Sequence, residues 1–458
     1  MLTIFKKQKY SFIDILLFLV PISFVFSRFF LEIFILWLGI IFILYSSYEE
    51  KKILFNNKIV KLFLFFWIIL VISSISSDHK VFSLNTSFLY FRHILMIFAF
   101  FWIFSNNEKK INIFFLSFFI IFFIVSLSGI YEYFFKINCK IAKIPNEAWG
   151  YIIVDKSFFC KDIFFIGSLL RDDRTSGFFG NELIIGSFLS RFLPFILAIF
   201  FFKKESLIKN FGLKTIYMFS MIFFVSIAIV FSGERVAFFF LIIFLIYFFF
   251  FYISSLKNLS YFLIVFLCFS FLLFSFNPLI KNRLLNQTWL QLNNKFDKDP
   301  SDNRTFLVFS KEHTAHAQVA IKIFYDHPFF GSGPKTFRKL CREPKYFVKH
   351  GCATHPHNTF LQLLAETGLV GTVVPLIILI TIIKEILKLI FLKIKNKKIE
   401  EIYISKSLFL LTFLMSLFPA IPSGNFFNNW LSIIYLLPVS LYFVFFKESI
   451  ERKKIYNK

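Results

Sequence analysis

Residues 354–371 read Thr-His-Pro-His-Asn-Thr-Phe-Leu-Gln-Leu-Leu-Ala-Glu-Thr-Gly-Leu-Val-Gly, a polar head on an apolar helical pattern. Thr354 can cap a helix and Pro356 suits its first turn, which puts His357 at or near a helix N-terminus. The unpaired N–H groups and the dipole of such a terminus attract anions such as phosphate and disfavour a protonated imidazole. A neutral histidine beside an anion is placed to take up a proton. His355, two residues earlier, points elsewhere, and it joins Asn358 as possible support. Glu366 falls about two turns into the helix, where a carboxylate is costly unless paired. A salt bridge or backbone hydrogen bond competes there with a functional role. Gly368 and Gly371, three apart on one face, read as permitting close helix packing.

Arginines supply the matching charge. Arg171 and Arg174 stand in Arg-Asp-Asp-Arg-Thr-Ser-Gly-Phe-Phe-Gly-Asn-Glu, Arg191 lies three residues before Pro194, and Arg235 closes the turn Ser232-Gly-Glu-Arg. Guanidinium groups grip phosphate oxygens in a bidentate manner, so Arg174, Arg191 and Arg235 are candidates for an anion site. Arg171 can simply pair with Asp172 or Asp173. A continuous helix from Phe178 would carry Arg191 about 20 Å down at 1.5 Å per residue. That depth demands a polar cavity or a partner carboxylate. A further polar island, Ser423-Gly-Asn-Phe-Phe-Asn-Asn-Trp, offers Asn425, Asn428 and Asn429 to a sugar, or Trp430 as an interfacial anchor.

The elements that position these residues follow from composition. The chain has 458 residues, 57% hydrophobic and 22% aromatic, with a mean hydropathy of +0.72, values foreign to a soluble domain. Apolar runs of roughly 17 to 25 residues recur from end to end, each long enough to cross a hydrocarbon core as a helix. About twelve spans are expected: Phe12–Phe26, Phe29–Ser46, Val60–Ile75, Ser87–Phe104, Ile111–Phe134, Phe178–Phe202, Ile216–Phe231, Val236–Ser254, Leu259–Phe276, Thr359–Ile382, Ser405–Ala420 and Trp430–Phe446. The first lacks a cleavage site and is expected to stay as a span. The fold class is therefore all-α, a polytopic helical bundle forming a single membrane domain over residues 1–458. The net charge of +24 sits mostly in short loops, which marks topology rather than nucleic-acid binding. The positive-inside rule places both termini in the cytoplasm and two long loops, 135–177 and 277–358, on the opposite side. The second precedes the tenth span and carries its own helical pattern from Arg304 to Tyr325.

Cysteine usage agrees with that orientation. Cys139 and Cys160 fall in the first long loop, Cys341 and Cys352 in the second, as suits an oxidising compartment, with three connectivities open. No CxxC pair or metal-type Cys/His spacing occurs, so neither a metal site nor a cofactor is expected.

His357-Asn358, nine residues, Gly368, two residues, Gly371 resembles the His-[Asn/Ser/Gln]-x9-Gly-x-x-[Gly/Thr/Tyr] signature of the O-antigen ligase and bacterial O-oligosaccharyltransferase superfamily. The placement agrees, at the end of a long outer loop entering the tenth of twelve spans. Arg174-Thr-Ser-Gly-Phe-Phe-Gly-Asn-Glu and Ser232-Gly-Glu-Arg235 look like that superfamily's other arginine-bearing segments. The resemblance implies a metal-independent, GT-C-like glycosyltransferase. It would move a glycan from undecaprenyl diphosphate to an acceptor hydroxyl such as that of lipid A–core, on the periplasmic face of the inner membrane, with inversion. Arg174, Arg191 and Arg235 would bind the diphosphate and His357 would act as base. Polymerases and protein O-oligosaccharyltransferases share the superfamily. A transporter of lipid-linked glycan is the reading without chemistry, but polar residues that cluster on one face and the lack of an internal repeat speak against it.

Overall fold

The computed structural model describes residues 2–138, 141–143, 151–153, 174–180, 182–202, 211–253, 260, 264, 275, 278–292, 310–396 and 398–456. Helices dominate it, as the apolar runs require: in lipid every backbone N–H and C=O must be satisfied within its own segment. A helix lies at each expected span except the ninth, most of which falls outside the described residues. Among the described residues seven helices are long and apolar enough to cross a membrane, and Phe12–Phe26 and Thr215–Phe231 are shorter apolar helices. The chain is a multi-pass helical membrane protein.

Apolar lipid provides little hydrophobic drive between helices, so packing shape must hold them together. Phenylalanine supplies it. Phe24, Phe118, Phe188 and Phe192 are fully buried, with ring centroids 4.7 Å apart for Phe118 and Phe192 and 5.0 Å for Phe188 and Phe192. They join the helices Leu2–Phe26, Glu108–Asn138 and Ile185–Phe202 at the centre of the bundle. The last of these packs most extensively against Glu401–Ser416, while Asn429–Tyr456 lies along Lys80–Asn106.

Three expectations need correction. The sixth helix begins at Ile185, not Phe178. Gly177 and Gly180 hold positive φ (54° and 62°), and the Glu132 carboxylate draws the N–H groups of Ser176 and Gly177 into a turn at 2.8 and 2.6 Å. Arg191 is therefore only six residues into its helix, roughly 9 Å at 1.5 Å per residue. Trp430 is 5% exposed and donates to the Phe24 carbonyl at 3.0 Å, so it is a buried pillar rather than an interfacial anchor.

The third correction concerns the tenth helix. Thr359–Asn396 is broken at Gly368, whose φ of 63° and ψ of −166° are not helical. The turn-rich segment after His327 enters the break: Ser332 N–H donates to the Ala365 carbonyl (3.0 Å) and Gly333 N–H to that of Glu366 (2.9 Å). In return, Leu369 N–H donates to the Pro328 carbonyl (2.8 Å) and Val370 N–H to that of Phe329 (3.1 Å). The freed backbone groups thus find partners, the condition under which an irregular membrane helix is tolerated. Cys341 and Cys352 are disulfide-bonded in the same loop, whereas Cys139, Cys160 and Cys268 lie outside the described residues. The first long loop carries a small hairpin in which Ile141–Lys143 pairs antiparallel with Tyr151–Ile153.

Candidate active site

The arginine side of the site is built on a carboxylate. In the turn Ser232-Gly233-Glu234, Gly233 takes a φ of 64°, which turns Glu234 onto the start of the helix Ile185–Phe202. Its carboxylate accepts the N–H of Gly186 (2.8 Å), the N–H of Ser187 (3.2 Å) and the Ser187 hydroxyl (2.7 Å). A helix N-terminus is an anion site, and here the protein fills it from within. Arg174 anchors to the same point: its Nη2 lies 4.0 Å from Glu234 Oε2 and donates to the Leu183 carbonyl at 2.8 Å. Burial pushes the Glu234 carboxyl up while Arg174 pulls it down. Arg235 opens the next helix, Arg235–Tyr252, close enough to Arg174 and Arg283 to feel both charges.

Arg191 stands apart from that opening. It is 5% exposed, donates to the Ser187 carbonyl at 3.2 Å and lies over the Phe240 ring at 5.2 Å. Its charge reaches Glu234 from behind. Arg171 lies outside the described residues.

The histidine side is a cluster of four rings. His357 sits 4.1 Å from His355, 5.1 Å from His316 and 5.6 Å from His313, centroid to centroid. His355 is engaged at both nitrogens, with Thr354 Oγ1 (2.9 Å) and the Ser423 carbonyl (3.2 Å). His357 takes a left-handed φ of 54° and its carbonyl accepts Ser423 N–H at 2.8 Å. The helix starts one residue after the cap, and the cap is Asn358, not Thr354. Asn358 Oδ1 accepts the N–H groups of Phe360 (3.0 Å) and Leu361 (3.1 Å), and its amide donates to the Pro419 carbonyl at 2.7 Å.

Glu366 and Asn425 brace this arrangement from inside. Glu366 is fully buried and accepts Phe337 N–H (3.0 Å) and Gln362 Nε2 (2.9 Å). The second amide hydrogen of Gln362 goes to Asn425 Oδ1 at 2.9 Å, and its oxygen accepts Phe426 N–H at 2.9 Å. This network ties the helix bearing Glu366 to the polar island at 423–430, so Asn425 faces the protein and not an open sugar site. Asn428 and Asn429 instead line a cleft of about 310 Å³ with Arg28, Glu32, Lys335 and Trp430.

Residues 219–376 match the family model described as O-Antigen ligase. Over that stretch the chain is similar to the O-antigen ligase family. A search of curated proteins gave no match. The matched stretch includes Arg235, Arg283, all four clustered histidines and Glu366, while Arg174 and Arg191 lie before it.

Sequence reasoning had not singled out His313, His316, Arg283 or Glu234. The first two were detectable: the chain has only eight histidines, and a spacing of three on a helical pattern puts two of them on one face. Among the described residues no group of three or more His, Cys, Asp or Glu side chains is arranged to hold a metal ion.

The cluster makes the stability of the matched stretch depend on pH. Burial, reinforced by its three histidine neighbours, lowers His357 to about 3. Burial likewise lowers His355 and His316 to about 4 each. An unfolded chain takes up protons on these groups below about pH 6.5 and the folded one does not. Their contribution to stability is therefore complete above about pH 6.5 and is lost as pH falls toward 4 and then 3. Thermal denaturation of the purified protein should show a midpoint that drops steadily from pH 7 to 4.5, and a midpoint constant across that range would refute the assignment.

Proposed function

We propose that the protein is an O-antigen ligase-type transferase that moves a glycan from undecaprenyl diphosphate to an acceptor hydroxyl, as of lipid A–core, at the periplasmic face of the inner membrane. The observation that carries this reading is the meeting of a neutral, part-exposed His357 with an arginine group: Arg235 lies near enough to act electrostatically on His313, whose ring is 5.6 Å from that of His357. A diphosphate leaving group needs cations to hold it, and arginine supplies them with bidentate geometry.

In this reading Arg174 and Arg235 hold the diphosphate and Arg191 adds charge from behind. The acceptor hydroxyl oxygen attacks the anomeric carbon from the face opposite the diphosphate. The bond from that carbon to the phosphate oxygen breaks with its electron pair, and His357 takes the hydroxyl proton, which gives inversion. The bound diphosphate also raises the proton affinity of His357 through its negative charge, so the donor switches on its own base. No step calls on a metal or cofactor.

The test is transfer by purified protein given undecaprenyl-diphosphate-linked glycan with lipid A–core, or that donor alone. A new glycosidic product on lipid A–core fits the ligase, chain growth from donor alone fits a polymerase, and translocation without product would sink the enzyme reading. Within the assay, Arg235→Ala should weaken donor binding by about 10–100-fold, the scale of a lost charged hydrogen bond pair. Arg235→Lys should recover little of it, and binding at the wild-type level in the lysine variant would reduce the arginine to a simple charge.

A further inference from the structure

Three of the four clustered histidines have no part in the transfer step; His355 is held by the loop, which leaves His313 and His316. Both come from the helix Lys311–Asp326, capped by Ser310, whose hydroxyl accepts His313 N–H at 3.3 Å. The spacing of three turns both rings to one side, where His316 meets His357 at 5.1 Å and His313 meets it at 5.6 Å. His316 is 7% exposed, and its Nδ1 has no hydrogen-bond partner among the described residues. A buried ring nitrogen without a partner is unfavourable and calls for an explanation beyond packing. His313 Nδ1 lies 2.7 Å from Ser310 Oγ, and that hydroxyl donates to Glu312 Oε2 at 2.9 Å. Glu312 is exposed. A run of exchangeable groups therefore leads from the buried cluster to the surface.

We propose that His313 and His316 form a proton relay that clears His357 after each transfer, delivering its proton through the Ser310 hydroxyl to Glu312 and out to water. The proposal rests on the reading of His357 as the base. Once the new C–O bond has formed and the diphosphate has left with the electron pair, the proton from the acceptor hydroxyl sits on His357. It passes to a neutral ring nitrogen of His316, the nearer ring, and from there to His313. Ser310 accepts the Nδ1 proton of His313 and releases its own to Glu312, which gives it to bulk water; rotation of the Ser310 hydroxyl and tautomer exchange of His313 then reset the chain. His357 is part-exposed; in this reading the donor and acceptor take its open side during turnover, which calls for an internal exit.

The surroundings suit transient occupancy. His355 has both nitrogens engaged and stays outside the path. Arg338 repels a proton on His355, and Arg235 repels one on His313. On the far side Glu312 attracts it. Burial disfavours a proton on His357 and on His316 alike, so neither ring holds it for long.

The experiment uses the full-length protein in nanodiscs, with undecaprenyl-diphosphate-linked glycan and lipid A–core, in weak buffer and again with about 100 mM imidazole. Histidine acts as a shuttle in water as readily as in a protein, so free imidazole can replace a missing relay ring. His313→Gln, His316→Gln and Glu312→Gln should each keep the first turnover within about twofold of wild type and lower steady-state turnover by about tenfold in weak buffer. Imidazole should restore the two histidine variants to within about twofold of wild type. Wild-type steady-state turnover in the histidine variants overturns the relay, and so does a slow first turnover that imidazole leaves unchanged. Either result leaves His357 in place as base. An active His357→Asn protein, in contrast, overturns the base and the relay with it.

Discussion

Replacing His357 is expected to lower glycan transfer by about 10²–10⁴-fold, the range for loss of a general base, with the protein still folded. The choice of replacement matters because His357 has a φ of 54°. A β-carbon in left-handed backbone costs about 1–2 kcal/mol, which asparagine offsets by local hydrogen bonding and alanine does not. His357→Ala should therefore lose activity and some stability, and His357→Asn activity alone. The measurement is product formed per enzyme alongside a thermal melt of each variant. Transfer by the asparagine protein at the wild-type rate would remove His357 from the chemistry. A carboxamide cannot take up a proton at neutral pH, so full activity in that variant would have to come from another group.

Gly368→Ala is expected to be among the most damaging substitutions in the chain, at roughly 4 kcal/mol or more. Two costs combine. The residue has a φ of 63°, and an added β-carbon would lie 2.3 Å from the Phe329 carbonyl oxygen, a backbone atom that cannot swing aside. Relief of that clash must break the pairing of Leu369 with Pro328 and of Val370 with Phe329. Each buried group left without a partner costs about 1–3 kcal/mol. Gly180→Ala separates the two terms: Gly180 has a φ of 62° but nothing within 4 Å of its β-position. It should cost only the backbone strain, about 1–2 kcal/mol. Chemical denaturation of the two variants in detergent gives the difference, and equal losses would show that the Phe329 contact is not the cause.

The bundle was legible in the sequence because a span is a local property: a run such as Lys58–Ile75 or Arg235–Tyr252 must be helical wherever it lies. What escaped depends on distant residues. Gly368 and Gly371 carry the spacing of a packing face, and nothing near them says that the helix stops. The break exists because residues 328–333, more than thirty positions earlier, fill it. Arg191 was placed too deep because Glu132, from another helix, holds the turn at Ser176 and Gly177 that delays the helix start. Pro356 suggested a first helical turn, yet the left-handed His357 and the side chain of Asn358 set the true one. His357 was found from its own neighbours. His313 and His316 matter only through the tertiary path of the helix Lys311–Asp326, which brings two rings beside one more than forty residues away.

The filled break also has a consequence for biogenesis. The four backbone groups that Ala365, Glu366, Leu369 and Val370 present at the break are matched by chain that is synthesised first, residues 328–333. That segment therefore emerges before the helix it will complete. Until that segment has folded back, the later helix has no reason to bend at Gly368. The bend and the seat of His357 thus depend on the same pairing, so a chain in which residues 328–333 have not folded back lacks both the break at Gly368 and the histidine arrangement built beside it.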